Sequence, residues 1–236
     1  MNKFPVNRPE WLIKEIQEKG GRISFYNFMD IVLNDKINGY YGSGKANVGI
    51  SGDFVTSPTL SEDFSFFLAI QIEEWLEQIK NNNNFNGIFN IIEFGSGTGC
   101  LIKGLINYFF DNNKQILKNI SFKIVELNQG MRIKQEENLE TFLNNDVNIS
   151  WINLDDLEDK SIYGIVIANE VLDAFPVERI QYSEGKIYQQ CVSFNEKHGE
   201  LFFLKNNLNE NLKERINYLK NNFGINIPPD NAREGW

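Results

Sequence analysis

Through the N-terminal third of the chain apolar positions recur at helical spacing; from Ile88 they gather into short runs that alternate with amphipathic stretches. Residues 8–34 read as two short helices divided by Gly20-Gly21. Ser24 is placed to cap the second, followed by Phe25, Phe28, Met29, Val32 and Leu33 at helical spacing. A glycine-rich stretch follows, from Gly39-Tyr40-Tyr41-Gly42-Ser43-Gly44 through Gly49 to Gly52-Asp53-Phe54-Val55-Thr56-Ser57-Pro58. A loop of that length in a compact chain is expected to be functional or mobile. The next helix is predicted from about Ser61 to Ile79, with the tract Asn81-Asn82-Asn83-Asn84 as a linker behind it.

Beyond the linker the pattern predicts strand 88–94, helix 99–110, strand 121–126, helix 129–143, a short strand around 149–153 and strand 163–168. Apolar runs alternating with helices imply an α/β fold, a parallel sheet of Rossmann-like type with helices on both faces. After Pro176 the pattern turns antiparallel: residues 178–204 read as a hairpin or meander with turns at Glu184-Gly185 and His198-Gly199, and 208–222 as a polar surface helix. The expected organisation is an N-terminal helical extension over 1–87 and a nucleotide-fold domain over 88–236. Four parallel strands are few for a doubly wound sheet, so the domain is expected to be truncated at its C-terminal end.

A formal charge of -9 on 236 residues argues against a nucleic-acid scaffold or a binder of anionic membranes. Cys100 and Cys191 form neither a disulfide framework nor a metal-ligand spacing, so no metal is expected and a reducing compartment fits. The single histidine, His198, lies in a turn-like run, which leaves serine-triad chemistry without an obvious proton acceptor. No segment has the length of a membrane span. Neither the signature of a signal peptide nor that of a transit peptide opens the chain.

The segment Ile91-Ile92-Glu93-Phe94-Gly95-Ser96-Gly97-Thr98-Gly99 carries the most chemistry. In an open parallel sheet ligands bind at the carboxyl ends of the strands, and glycine there lets a ligand approach the backbone without a Cβ in the way. A dinucleotide fingerprint requires glycine or alanine at its sixth position, where Cys100 stands, and an acid about 20 residues on. Glu126 instead follows Gly95 by 31 residues. Glu93-x-Gly95-x-Gly97-x-Gly99 resembles motif I of the class I S-adenosylmethionine-dependent methyltransferases. On that reading Glu126 accepts hydrogen bonds from the ribose hydroxyls, and Glu93 lies under the turn near the positive end of the methionine tail. Asp155 or Asp156 faces the adenine amino group.

The chain as a whole resembles the MidA family of methyltransferases, found in bacteria and mitochondria. Gly39-Tyr40-Tyr41 and Gly52–Pro58 resemble the signature loop of that family. Val125-Glu126 with Arg132 and Gln135 resembles its second motif, and Ala168-Asn169-Glu170-Val171-Leu172-Asp173-Ala174-Phe175-Pro176 its strand-four motif. Ser96 stands where many members have proline, and Leu127-Asn128 where a Ser-Pro pair is common. The resemblance implies a class I methyltransferase sheet carrying an antiparallel hairpin after its fourth strand, with S-adenosyl-L-methionine as cofactor. It further implies methylation of a protein arginine, in mitochondrial members on a respiratory complex I subunit. The compartment it implies is the cytoplasm for a bacterial chain and the mitochondrial matrix for a eukaryotic one.

Methyl transfer from a sulfonium is an in-line displacement, so alignment of donor and acceptor is the main task. Asn169, Glu170 and Asp173 follow the strand beside the glycine turn. Glu170 and Asp173 are candidates to clamp a guanidinium; the alternative is a helix-capping Glu170 and a solvated Asp173. Tyr40, Tyr41 and Asp53 lie on the long loop, which either folds over the cofactor as a lid or packs as a static connection. An assembly factor without catalysis, or an NAD-binding oxidoreductase, are the competing functions.

Overall fold

The structure, a computed structural model, describes residues 9–83, 85–145 and 147–229. Residue 8 of the first predicted helix, Asn84 of the asparagine tract and residues 230–236 of the predicted second domain lie outside them. In chain order the elements are α1 (Glu10–Glu18), β1 (Arg22–Ser24), α2 (Phe25–Asn34), α3 (Ser57–Leu60), α4 (Glu62–Asn83), β2 (Phe89–Phe94) and α5 (Cys100–Asn112). There follow β3 (Ile120–Val125), α6 (Gln129–Leu143), β4 (Ile149–Ile152), β5 (Gly164–Ile167), β6 (Ile180–Ser183), β7 (Lys186–Asn195), β8 (Glu200–Asn207) and α7 (Glu210–Phe223). Short 3-10 turns lie at Ile116–Asn119, Leu154–Asp156 and Leu172–Ala174.

These elements form two compact units, Leu33–Ala174 and the combination of Met1–Val32 with Phe175–Trp236. The division differs from the one expected at 87/88. Helix α4, placed by the sequence in an N-terminal extension, buries Ala69, Ile72 and Leu76 in the same core as β2 and α5. The antiparallel strands follow the fourth parallel strand, as expected, and make a sheet of their own with β1.

In the unit Leu33–Ala174 all four strands are parallel, in the order β4-β3-β2-β5. Strand β2 is buried on both faces, with Ile91 and Ile92 fully buried. The face that carries Ile91 joins the core shared with α4, α5 and α6, while on the face that carries Ile92 the paired Val166 of β5 is exposed. Helix α5 covers the Ile91 face with Leu101, Ile102, Leu105, Ile106 and Phe109. The hydroxyl of Ser61 accepts from the Asp63 amide at 3.1 Å, and Glu62 and Asp63 complement the helix dipole at the start of α4. The helix continues through Asn81–Asn83 instead of ending at a linker. Its end is set by the following aromatics: Phe85 stacks on Tyr163 at 4.0 Å and meets Phe89 at 4.9 Å, which turns the chain back toward the sheet.

In the other unit, β7 pairs antiparallel with β8 along one edge and with β6 and β1 along the other. The predicted turns are present, with Glu184, Gly185 and Gly199 all at positive φ. Leu12 and Ile16 of α1 pack on Ile23 and Val192. Ser24 caps α2 as its position predicts, its hydroxyl accepting from the Asn27 amide at 3.1 Å. The three residues of β1 are too few to carry a period, so the sequence shows them only as the end of a helical segment.

Helices α4 and α5 approach most closely where Gly104 meets Ser65: a Cβ on Gly104 would lie 2.4 Å from the Ser65 Cβ. Gly104→Ala is therefore expected to destabilise the protein by about 1–3 kcal/mol, although alanine is the better helix former. The urea midpoint should fall; an unchanged or higher midpoint would show that the two helices part without cost.

Candidate functional site

The turn after β2 is built from alternate glycines. Gly95, Gly97 and Gly99 have φ of +57°, +55° and +82°, the left-handed region in which a side chain is strained. A Cβ on Gly95 would lie 2.5 Å from Val171 Cγ2, so the turn is pressed against the segment that leaves β5. Gly97 has nothing within 4 Å on its Cβ side, which leaves a bare backbone surface facing open space. Gly99 caps the start of α5. The Gly95 amide donates to Val125 O at 3.0 Å, tying the turn to the end of β3.

Two carboxyls lie at the same edge of the sheet as this turn. Glu93, on β2, is 3% exposed and accepts from the Ser96 hydroxyl at 2.5 Å. Burial pushes its pKa up to about 7, against the opposing pull of the Ser96 hydrogen bond. Glu126 follows β3. Its Oε1 accepts from the Asn128 amide at 2.8 Å and its Oε2 from Gln135 Nε2 at 2.9 Å. Burial raises its pKa while these donors act to lower it. Asp155 and Asp156 lie in the 3-10 turn after β4, at the same sheet edge; both are exposed, and Asp156 Oδ2 accepts from Asn153 Nδ2 at 2.9 Å.

The residues after β5 lie across from the glycine turn. Asn169 is half-buried, while Glu170 and Asp173 are exposed. Glu170 takes φ of +50° and precedes the 3-10 turn Leu172–Ala174, so the helix it was placed to cap in the alternative reading is absent among the described residues. Tyr41 comes close to this group: its phenol pKa is raised by burial first, then by the charge of Asp173, then by that of Glu126. Tyr41, Asp173 and Glu126, far apart in sequence, thus share one neighbourhood.

The long loop is anchored on one side. The Gly130 amide donates to Gly42 O at 3.3 Å, Asn128 Nδ2 to Asn34 Oδ1 at 3.1 Å and Lys134 Nζ to Ala46 O at 2.5 Å. Gly44 and Gly130 touch backbone to backbone; a Cβ on Gly130 would lie 2.2 Å from Gly44 N. Tyr40 donates its hydroxyl to Asp53 Oδ2 at 2.5 Å, and burial followed by this bond raises its pKa to about 12. The far part of the loop is open to solvent, with Ile50 75% exposed and Phe54 40%.

The network that holds these pieces together was not predicted as a site. Gln135, fully buried, reaches Gly97 O, Glu126 and Trp151, and Asn138 reaches Thr98 O at 3.0 Å. A signal was available. Gln135 falls between Met131 and Leu139 on the buried stripe of α6, and a carboxamide on such a stripe must be paired.

Comparison with known proteins agrees with this geometry. A family model described as "Putative S-adenosyl-L-methionine-dependent methyltransferase" matches residues 67–234. The mitochondrial protein arginine methyltransferase NDUFAF7 homolog of Caenorhabditis elegans is 26% identical over 96% of this chain and 54% of its own length. The mitochondrial protein arginine methyltransferase NDUFAF7 of Bos taurus is 30% identical over 68% of this chain and 39% of its own. A Burkholderia thailandensis protein whose crystal structure holds S-adenosyl-homocysteine superposes with a TM-score of 0.68 at 27% identity, covering 90% of this chain and 56% of that one. The chain spans about half the length of the relatives it matches, or less. With the glycine turn, the strand-end acids and the family match in agreement, the chain belongs to the MidA family of class I S-adenosylmethionine-dependent methyltransferases.

Proposed function

We propose that this chain binds S-adenosylmethionine at the carboxyl edge of its parallel sheet and serves methyl transfer to an arginine of a protein. The observation that carries the reading is the bare face of Gly97 at the sheet edge that also holds buried Glu93 and half-buried Glu126, the latter tied to Gly97 O through Gln135. Such a cofactor needs close backbone approach, acceptors for its ribose hydroxyls and negative potential for its cationic centres; the residues present fit each need. When bound, it supplies an electrophilic methyl group on a sulfonium.

A dinucleotide fits less well. Its pyrophosphate calls for cationic groups, and the lysine nearest the turn, Lys103, turns its ammonium to Asn138 Oδ1 at 2.8 Å. In the proposed site Glu126 holds the ribose, Glu93 supplies charge beneath the turn, and Asp155 or Asp156 meets the adenine. Tyr40, Tyr41 and Asp53 form the loop wall that limits water at the reacting groups. The hydrogen bonds that anchor one side of the loop support a wall more than a hinged lid.

For the acceptor, two relatives above are named protein arginine methyltransferases. Glu170 and Asp173 are exposed carboxylates at the strand end nearest the glycine turn, suited to hold a planar guanidinium by charge-assisted hydrogen bonds. Asn169 adds a carboxamide beside them. A respiratory-complex subunit is the class of acceptor that the family resemblance implies.

Calorimetry with S-adenosylmethionine tests the reading. Wild type is expected to bind, Glu126→Ala to lose about tenfold or more in affinity, and Asp173→Ala to bind as wild type while losing methyl transfer to peptide arginine. Equal binding by wild type and Glu126→Ala would remove Glu126 from the site. Glu93 adds a pH signature. Its folded pKa lies above the ordinary value of 4.5, so its contribution to stability is complete below about 4.5 and is lost as pH rises through about 7. In Glu93→Gln that part of the decline should vanish from the urea-midpoint profile of the unliganded protein; a profile identical to wild type would mean that Glu93 is not the group titrating.

A further inference from the structure

We infer that Gln135 is a positioning residue of the cofactor site: its buried carboxamide locks the glycine turn and the Glu126 carboxylate into one rigid unit. The inference rests on the cofactor reading above and adds to it a residue that meets no ligand, because Gln135 is fully buried.

Gln135 occupies a place on α6 where an apolar side chain would be the ordinary choice. Its amide left unpaired there would be costly, and both amide hydrogens and the carbonyl oxygen are in fact paired. Nε2 donates to Gly97 O and to Glu126 Oε2, each at 2.9 Å, and Oε1 accepts from Trp151 Nε1 at 2.8 Å. Reversing the amide would set its oxygen against two acceptors and its nitrogen against a donor, so only one orientation satisfies the site. One side chain therefore joins the turn after β2, the end of β3 and the face of β4.

Asn138, one helical turn on, repeats the contact. Its Nδ2 donates to Thr98 O at 3.0 Å while Oδ1 accepts from Lys103 Nζ at 2.8 Å. Successive carbonyls of the turn, Gly97 and Thr98, are thus held from α6. Gln135 differs from Asn138 in also reaching Glu126. With the Asn128 amide on the other carboxylate oxygen, that bond gives Glu126 a single orientation.

The groups around Glu126 set the sign of the expected pH effect. Tyr41 faces it from the loop, with Asp173 acting on the same phenol. On α6, Arg132 is engaged by Glu136 and Lys134 by Ala46 O. Donation from Gln135 favours the ionised carboxylate against burial. Without that donor Glu126 keeps its proton to higher pH and is a poorer acceptor near neutrality.

Calorimetry with S-adenosylmethionine on the full chain, with folding checked by circular dichroism, reads the inference. Gln135→Met is expected to weaken binding by about tenfold to a hundredfold, and the loss should be larger near pH 6 than near pH 8. In a Glu126→Gln background the pH trend should vanish. Trp151→Phe, which leaves both donations of Gln135 in place, should stay within about threefold of wild type. Gln135→Glu keeps the shape but should reverse the trend, because the new carboxyl must take up a proton before it can donate to Glu126. This variant decides the matter if Gln135→Met does not fold. Wild-type affinity in Gln135→Met, with Glu126→Ala impaired, overturns the positioning role and leaves the cofactor reading standing. A loss independent of pH in both Gln135 variants overturns it too, as the mark of a loosened core. If wild type itself does not bind, the cofactor reading falls and this inference with it.

Discussion

The sheet edge depends on the placement of β2 between two parallel partners. The chain leaves β2 through α5, builds β3 and β4 on one side, and then returns to the other side as β5. The carboxyl end of β2 therefore stands where strand order reverses, the place at which open parallel sheets bind ligands. Burial on both faces makes this position rigid, since Ile91 and Ile92 have no room to shift. The close approach of Gly95 to Val171 shows how tightly the two strand ends are drawn together. With a side chain at Gly95, the turn could not sit against β5 as it does.

The electrostatic character of the site follows from that packing. Glu93 is buried because β2 is buried, and its pKa rises for that reason more than through any neighbouring charge. Glu126 is partly protected by the donors at the start of α6 and by Gln135. Carboxyls in such surroundings favour cationic or hydroxylated partners and disfavour phosphates, which ties the choice of cofactor to the fold. Tyr41 brings the long loop near Glu126 and Asp173, so a segment preceding the sheet in sequence reaches its carboxyl edge.

Much of this was readable from residues alone. Strand β2, helix α5 and helix α6 fall within two residues of their expected spans, because long apolar runs and clear amphipathic periods carry their own boundaries. The glycine turn was legible for a similar reason: alternating glycines after an apolar strand have few other uses. Three features were not. Strand β1 is too short to show a period, and it exists because β7 offers it an edge. The role of α4 in the main core depends on its packing against α5, with Ser65 and Gly104 in contact, which is a tertiary fact. Gln135 was visible only as part of a motif; its three partners lie on segments that sequence spacing does not bring together.

The central claim is that the glycine turn and Glu126 form one cofactor surface held from behind by α6. Amide and indole NMR of the protein titrated with S-adenosyl-homocysteine tests it most directly. The expected result is a saturable set of shifts confined to Gly95–Gly99, the Glu126–Asn128 amides and the Trp151 indole N–H, the last moving although it is shielded from the ligand. Shifts centred elsewhere, or a turn that responds while Glu126 and Trp151 do not, would contradict the account.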